Sequence, residues 1–402
     1  MSLSLLAVHQ GGGLGGAPVS LLKLLAGLDP SEFRPSAIFT ESGPVLGYAC
    51  DLGLQASVVP TGGAFFYSAH ARLGPRSLAR FVRTFPGAVH VARATLRRRR
   101  PDLLHLNTSV LLAWAAAARR ERVPIVWVVR EVLGRHPGLR RWQAGFILRH
   151  ARQVVVISDA VRACFPSDAR VARVYNAVDL RAFRLDLLAQ AAAVRSELGL
   201  PPEAQVVMAI GAVQRPKGHW LLVDALSRTP GSTHLVLVTG GADDAYARSL
   251  RGRIKRALDL PLDNLDALLR YARQRGVAER MRVTGFRTDV ARVLAAADVL
   301  AFPSLEPEGF GRPIIEAMAL ARPVVATDIG PSAELLGADA GRLVPANAAR
   351  LAGALAELLD APEERSRMGR AGRARVEACF TLERQVAEMS AVYRKAARGV
   401  GV

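Results

Sequence analysis

Two runs decide the fold of this 402-residue chain: Asp298-Val299-Leu300-Ala301-Phe302-Pro303, and after it Glu308-Gly309-Phe310-Gly311-Arg312-Pro313-Ile314-Ile315-Glu316. The first is a short apolar run stopped by proline, the pattern of a buried parallel strand that ends in a loop. Pro313 fits the first turn of a helix that continues through Glu316-Ala317-Met318-Ala319-Leu320, and Pro323 to Thr327 supplies the next buried strand. Gly309 and Gly311 leave the backbone bare at the helix start. Unpaired N–H groups and the positive end of the helix dipole can therefore face an anion or a hydroxyl-rich ligand there. Glu308 lies before the helix and Glu316 just over one turn inside it, so two carboxylates can reach two parts of one ligand. Two glutamates at this spacing are by themselves an ordinary solvated helix face. Here the residues around them each have a backbone reason.

This arrangement resembles the donor-site signature of the retaining glycosyltransferases of family 4, whose motif is two glutamates separated by seven residues. The resemblance takes in Pro303-Ser304, the Glu308-Gly309-Phe310-Gly311 core, Glu316-Ala317-Met318-Ala319, Pro323-Val324-Val325-Ala326-Thr327, and Gly330 followed by Glu334. It implies an α/β protein of the GT-B fold: two Rossmann-like domains with parallel sheets facing across a cleft. The boundaries expected from it are an acceptor domain at 1–184, a nucleotide-sugar domain at 185–382, and a last helix at 383–402 that crosses back to the first domain. By the same resemblance Glu308 would contact the sugar hydroxyls and Glu316 the ribose. Gly309, Phe310, Gly311 and Arg312 would complete the donor loop.

Length and composition agree with two domains. Half of the residues are hydrophobic, enough to bury large cores. Cys50, Cys164 and Cys379 lie far apart with no paired spacing, which argues against a disulfide framework or zinc site and suggests inert core thiols in a reducing compartment. The apolar run from Leu3 to Val8 is short for a signal peptide, and no run approaches the roughly 18 apolar residues of a membrane span. The expectation is a cytoplasmic protein, either soluble or held peripherally at the inner face of the plasma membrane. The net charge is +19, and between Arg72 and Arg152 there are 18 arginines against Asp102, Glu121 and Glu131. A field this concentrated calls for an anionic partner.

From the N-terminus, Leu3 to Val8 reads as a strand, followed by His9-Gln10-Gly11-Gly12-Gly13-Leu14-Gly15-Gly16 and an apolar helix to about Leu28. The spacing Gly11-x-Gly13-x-x-Gly16 also occurs in dinucleotide loops. In family 4 enzymes a glycine loop follows the first strand, and there Gly15 and Gly16 would approach the donor phosphates or the acceptor. Alternating strands and helices follow, the mark of a parallel sheet covered on both faces. Arg72, Arg76, Arg80 and Arg83 then recur at helical spacing with Leu73, Phe81 and Phe85 among them, and Pro86-Gly87 breaks the run before Arg97 to Arg100. Such a segment is either a solvated helix face or a membrane-docking surface into which Phe81 and Phe85 insert. Asn107-Thr108-Ser109 offers helix caps, and Arg130 stands near a strand end where many family members carry a histidine. Val174-Tyr175-Asn176-Ala177-Val178-Asp179 resembles the family's Asn-Gly-Val-Asp segment, with Ala177 in place of the glycine.

In the second half, Gly211-Ala212-Val213-Gln214-Arg215-Pro216-Lys217-Gly218 links a buried strand to a helix. The family sets an arginine and a lysine of this loop against the donor diphosphate. Lys217 matches, and Arg215 stands in for the arginine that Ala212 replaces. Gly285-Phe286 with Asp289 resembles a base-facing turn, and Asp243 to Ala278 is longer than the usual connection. The sequence contains no Asp-x-Asp, so metal-independent transfer from a nucleotide-sugar to a saccharide or lipid-linked acceptor is expected, with no cofactor and no metal. Two other readings stay open. One is a nicotinamide-dependent dehydrogenase using Gly11, Gly13, Gly16 and Glu41, and the other a non-catalytic basic scaffold that binds membranes. Nucleic acid is not an expected partner, because no recognisable nucleic-acid motif accompanies the arginines.

Overall fold

Every ladder joining the thirteen strands found among the described residues is parallel, and the ladders form two separate sheets. The computed structural model describes residues 2–68, 74–239 and 264–398. The chain divides into two compact units. One comprises Met1–Ala177, Glu308–Phe310 and Phe380–Val402, and the other Val178–Pro307 and Gly311–Cys379.

The first unit holds β1 (Leu3–His9), β2 (Phe33–Phe39), β3 (Gln55–Val58), β4 (Leu103–Leu106), β5 (Ile125–Val129), β6 (Gln153–Val156) and β7 (Val171–Arg173), in the order β3-β2-β1-β4-β5-β6-β7. Runs such as Ile125-Val126-Trp127-Val128-Val129 are buried at every position, as strands must be when helices cover both faces of a sheet. The strand order reverses between β1 and β4, so the loops leaving these two strands diverge and open a crevice at their carboxyl ends. The helix Leu382–Ala397 completes this unit. Its Tyr393 is fully buried, edge-on to Phe33 at 5.9 Å, and Gln385 Nε2 donates to the Tyr175 carbonyl at 3.0 Å.

Four expectations for this unit need correction. Pro86 does not break the basic segment, for a single helix runs Pro75–Arg99. The proline forfeits one backbone bond, at about 3 kcal/mol, but Ala88, Val89, Ala92 and Leu96 beyond it are buried, and that packing carries the helix through. Phe81 and Phe85 do not stand out for insertion; Phe81 lies 5.1 Å from both Phe65 and Phe85, in a half-buried aromatic cluster. Asn107 caps no helix, because its side chain is drawn into the sheet, and the helix Leu112–Arg120 starts at Leu111 without a side-chain cap. Cys50 is exposed rather than a core thiol, since the short helix Val45–Asp51 buries only Val45 and Ala49. Arg72 lies outside the described residues.

The second unit holds β8 (Gln205–Ile210), β9 (Thr233–Val238), β10 (Met281–Val283), β11 (Val299–Phe302), β12 (Val324–Thr327) and β13 (Gly341–Val344), in the order β10-β9-β8-β11-β12-β13. Its core gathers Val207, Leu235, Val299 and Val325 from the strands with Leu222, Leu351 and Leu355 from the covering helices. Here the order reverses between β8 and β11. The helix Arg312–Ala319 packs beneath the helix Pro362–Cys379, whose Arg373 Nη1 donates to the Ala319 carbonyl at 2.5 Å and closes the shorter helix's C-terminus. Of the long connection, residues 243–263 lie outside the described residues. Asn264 then caps the helix Leu265–Gln274, and Tyr271 donates to Asp224 at 2.7 Å.

Candidate functional site

In the second unit the two loops singled out from the sequence, 211–218 and 303–307, leave β8 and β11, the neighbouring strands at the reversal of order. Ligands of open parallel sheets settle outside the carboxyl ends of such a pair. The loops are stitched together: Leu305 N–H and the Ser304 hydroxyl both donate to the Pro216 carbonyl, at 2.7 and 3.3 Å, and Thr327 at the end of β12 donates to the Ser304 carbonyl at 2.5 Å. Gly218 makes this possible. Its φ is +71°, and a Cβ there would fall 1.8 Å from the Pro303 carbonyl oxygen, so only glycine fits.

Between these anchors Arg215–Lys217 form one 3₁₀ turn, after which the helix His219–Leu226 begins. The Arg215 guanidinium lies over the Trp220 ring, 4.1 Å from its centroid. Such a contact fixes a cation over an aromatic face. The Lys217 side chain runs alongside Gly211. Two cations beside a helix N-terminus on a loop pinned by Gly218 make a place suited to an anion.

The second half of the motif supplies an anion. Glu316 is buried, and its carboxylate accepts from Arg312 Nη2 at 2.6 Å, one turn back on the same helix. Gly311, at φ +100°, caps that helix. Gly285 and Phe286 follow the edge strand β10, with Phe286 exposed. Asp289 is held by Arg287 at 2.7 Å, and hydrogen bonding to that guanidinium keeps its carboxyl below the usual range.

Glu308, Gly309 and Phe310 group with the first unit. A Cβ on Gly309 would lie 1.9 Å from the Arg130 carbonyl oxygen, and Ser158 donates to the Gly309 carbonyl at 2.6 Å. Glycine is therefore required at this place too. The Phe310 ring packs against Tyr175 and Phe380 at 6.0 and 6.1 Å, so what Phe310 presents to a ligand is its backbone. Glu308 is half-buried.

Near the ends of β1, β4 and β5 in this unit lies a buried polar network that the sequence reading did not assemble. Arg130 Nε donates to Asn107 Oδ1 and its Nη1 to Asn176 Oδ1, both at 2.7 Å. Tyr393 meets His105 Nδ1 at 2.6 Å, His105 Nε2 meets Asn107 Oδ1 at 3.3 Å, and Asn107 Nδ2 meets His9 Nδ1 at 3.0 Å. Burial keeps the Tyr393 phenol protonated, so it donates, and the proton order along the chain follows: His105 carries its proton on Nε2, and His9 accepts at Nδ1. Burial first, and the Arg130 charge second, lower both histidines to about 3, so both are neutral. Glu131, also at this edge, is raised by burial against hydrogen bonds from Ser109. The signal for the network was positional: His9, Asn107 and Arg130 each sit at or just past a strand end, the place in a buried sheet where polar side chains have a purpose. Gly15 and Gly16 open the helix Gly16–Ala26 at the end of the β1 loop. Among the described residues, no group of three or more His, Cys, Asp or Glu could hold a metal ion.

Two parallel, doubly wound units, each with its loops gathered at a reversal of strand order, define a pair of Rossmann-like domains. Residues 14–182 match the model "Glycosyltransferase Family 4" and residues 204–361 the model "Glycosyl transferases group 1". The chain belongs to this family of glycosyltransferases. It is similar to the D-inositol 3-phosphate glycosyltransferase of Mycobacterium marinum, 35% identical over 164 residues that make 40% of this chain and 31% of that protein. It is also similar to the MMP alpha-(1->4)-mannosyltransferase of Mycolicibacterium hassiacum, 42% identical over 111 residues, or 27% of each chain. The matched stretches thus span about a third or less of these relatives. Among solved structures, Anabaena HepE in complex with UDP and glucose superposes with a TM-score of 0.76 at 22% identity, over 97% of this chain and 99% of that one. The likeness to HepE is one of fold.

Proposed function

We propose that the protein transfers a sugar from a nucleotide-sugar donor to a saccharide or lipid-linked acceptor, with retention of configuration and without a metal ion. The observation that carries this reading is the pair of loops joined at β8 and β11, with Lys217 and the Trp220-backed Arg215 beside a helix N-terminus. Loss of a nucleoside diphosphate builds negative charge on the leaving group, and preorganised donors are typically worth ~3 to 4 kcal/mol each against such charge. Lys217, Arg215 and the backbone N–H groups near Gly311 supply it in place of a cation. Glu316 would take the ribose hydroxyls and Glu308 the hydroxyls of the sugar. Retention follows the family resemblance, and the leaving phosphate itself can take the acceptor proton. The family assignment leaves the dehydrogenase reading of Gly11, Gly13 and Gly16 without support.

The test is a thermal-shift panel of UDP-, GDP- and ADP-sugars, followed by transfer assays with the donor that binds. A ligand held only by the folded state adds ~2.7 kcal/mol at about 100 times its dissociation constant. Transfer should persist in EDTA. Activity lost to chelator and restored by magnesium or manganese would overturn the metal-free mechanism, and NADH binding without nucleotide-sugar binding would overturn the transferase reading.

A further inference from the structure

An arginine side chain only donates hydrogen bonds, and that constraint fixes the proton positions at the end of β1. Arg130 Nε donates to the Asn107 side chain at 2.7 Å, so the atom facing it is the amide oxygen and the Asn107 Nδ2 is turned the other way. This Nδ2 stands 3.0 Å from His9 Nδ1. An N–H that must donate leaves Nδ1 the accepting role, and a neutral imidazole that accepts at Nδ1 carries its proton on Nε2. The titratable and charged groups acting on the ring are Arg130, beyond β5, and His105 on β4, the latter joined to Tyr393 of the last helix. Burial first, and the like charge of Arg130 second, lower His9 to about 3. The ring is therefore held in one neutral form.

Nε2 is not used inside the protein. It bonds nothing among the described residues, and it is not one of the partnerless atoms sealed from solvent, so the 6% of His9 that stays exposed includes this edge. His9 ends β1, one of the two strands between which the order of the first sheet reverses, and the loops leaving such a pair frame a ligand crevice. The glycine loop that follows leaves room beside it. A Cβ on Gly13 would meet nothing within 4 Å and one on Gly15 only the Pro18 ring at 3.9 Å, while Gly11 N–H is tied to Thr40 Oγ1 at 3.0 Å. An N–H kept neutral by a buried arginine suits an uncharged oxygen. A diphosphate calls instead for fixed cations, such as Lys217 and Arg215.

We infer that His9 donates a hydrogen bond from Nε2 to a hydroxyl oxygen of a saccharide substrate, and that Asn107 and Arg130 are positioning residues that hold its proton on that nitrogen. The inference rests on the transferase reading for the ligand's being a saccharide. His9 binds and orients; it is no general base, because its Nε2 has no lone pair to take a proton.

Nitrogen NMR of the histidine rings reads the tautomer without any substrate. Wild type shows His9 protonated on Nε2 alone from about pH 8 to about pH 5. In Asn107→Asp a carboxylate that only accepts faces the ring, and Nδ1 gains a proton, which a merely structural role for Asn107 would not produce. A wild-type ring protonated on Nδ1, or one that titrates near the ordinary value of about 6.5, overturns the inference. Binding is read with the nucleotide-sugar that gives the largest thermal shift, with its parent nucleoside diphosphate, and by transfer. Glutamine can place an amide N–H where Nε2 stands and asparagine cannot, so His9→Gln stays within about threefold of wild-type transfer while His9→Asn and His9→Phe lose about tenfold. All three variants bind the nucleoside diphosphate as wild type does, which also shows that they are folded. Weaker binding of the nucleotide-sugar places the hydroxyl on the donor's sugar, and unchanged binding with slower transfer places it on the acceptor. Asparagine and phenylalanine variants that transfer at the wild-type rate overturn the proposal, as does a His9→Gln variant that loses affinity for the nucleoside diphosphate itself. A wild type that transfers no sugar is a failure of the transferase reading, and the tautomer result stands apart from it.

Discussion

Replacing Arg130 by methionine probes the buried network without opening a large cavity. The guanidinium gives two hydrogen bonds of 2.7 Å to the amide oxygens of Asn107 and Asn176, and bonds to charged groups are worth about 1.5 to 3 kcal/mol each. Recovering the cost of burying the charge offsets part of this, so a net loss of about 2 to 4 kcal/mol is expected at neutral pH. The second effect is on acid stability. His9 and His105 are lowered to about 3 when folded, against about 6.5 when unfolded. The unfolded chain therefore binds more protons between these values. The stability contribution is complete above pH 6.5 and is lost as pH falls toward 3, with on the order of 3 kcal/mol per histidine gone by about pH 4. Removing Arg130 takes away the second cause of the depression and leaves burial, so the acid slope becomes shallower without vanishing. Urea unfolding at several pH values between 7 and 4, followed by tryptophan emission, measures both effects. A loss below about 0.5 kcal/mol at neutral pH, or a steeper acid slope in the variant, would refute the network as described.

Two further outcomes concern the donor loops. Lys217→Ala and Glu316→Gln should each lower transfer by at least roughly a hundredfold, and steady-state assays showing wild-type rates in either would sink the donor-site assignment. Gly218→Ala should cost at least about 3 kcal/mol, from a left-handed φ and a clash with the Pro303 carbonyl; a thermal midpoint within a degree or two of wild type would show that the loops part easily.

What the sequence made legible was local. Strands such as Ile125–Val129 and Val299–Phe302 declare themselves because a parallel strand buried on both faces is apolar at every position, and Lys217-Gly218 and Gly311-Arg312-Pro313 declare themselves because loop and helix start are contiguous. Contacts between distant segments were not legible. The platform beneath Arg215 depends on how the first turn after Gly218 rotates Trp220, and the network around Arg130 draws on β1, β4, the 174–179 segment and the last helix. Pro86 misled for the converse reason, since a local breaker was overruled by the packing of residues two to ten positions further on.

The helix Leu382–Ala397, with Phe380 before it, belongs to the unit that the chain began. On a ribosome this reverses the usual order, in which the domain made first is finished first. Until residues 380–398 have emerged, His105 lacks its phenol and the face of the sheet under Tyr393 is open to water, while every residue of the second unit has already been made. A chain ending at Cys379 would hold every residue of the second unit and an unfinished first one, so the first unit's resistance to protease should arrive only when the helix Leu382–Ala397 is present.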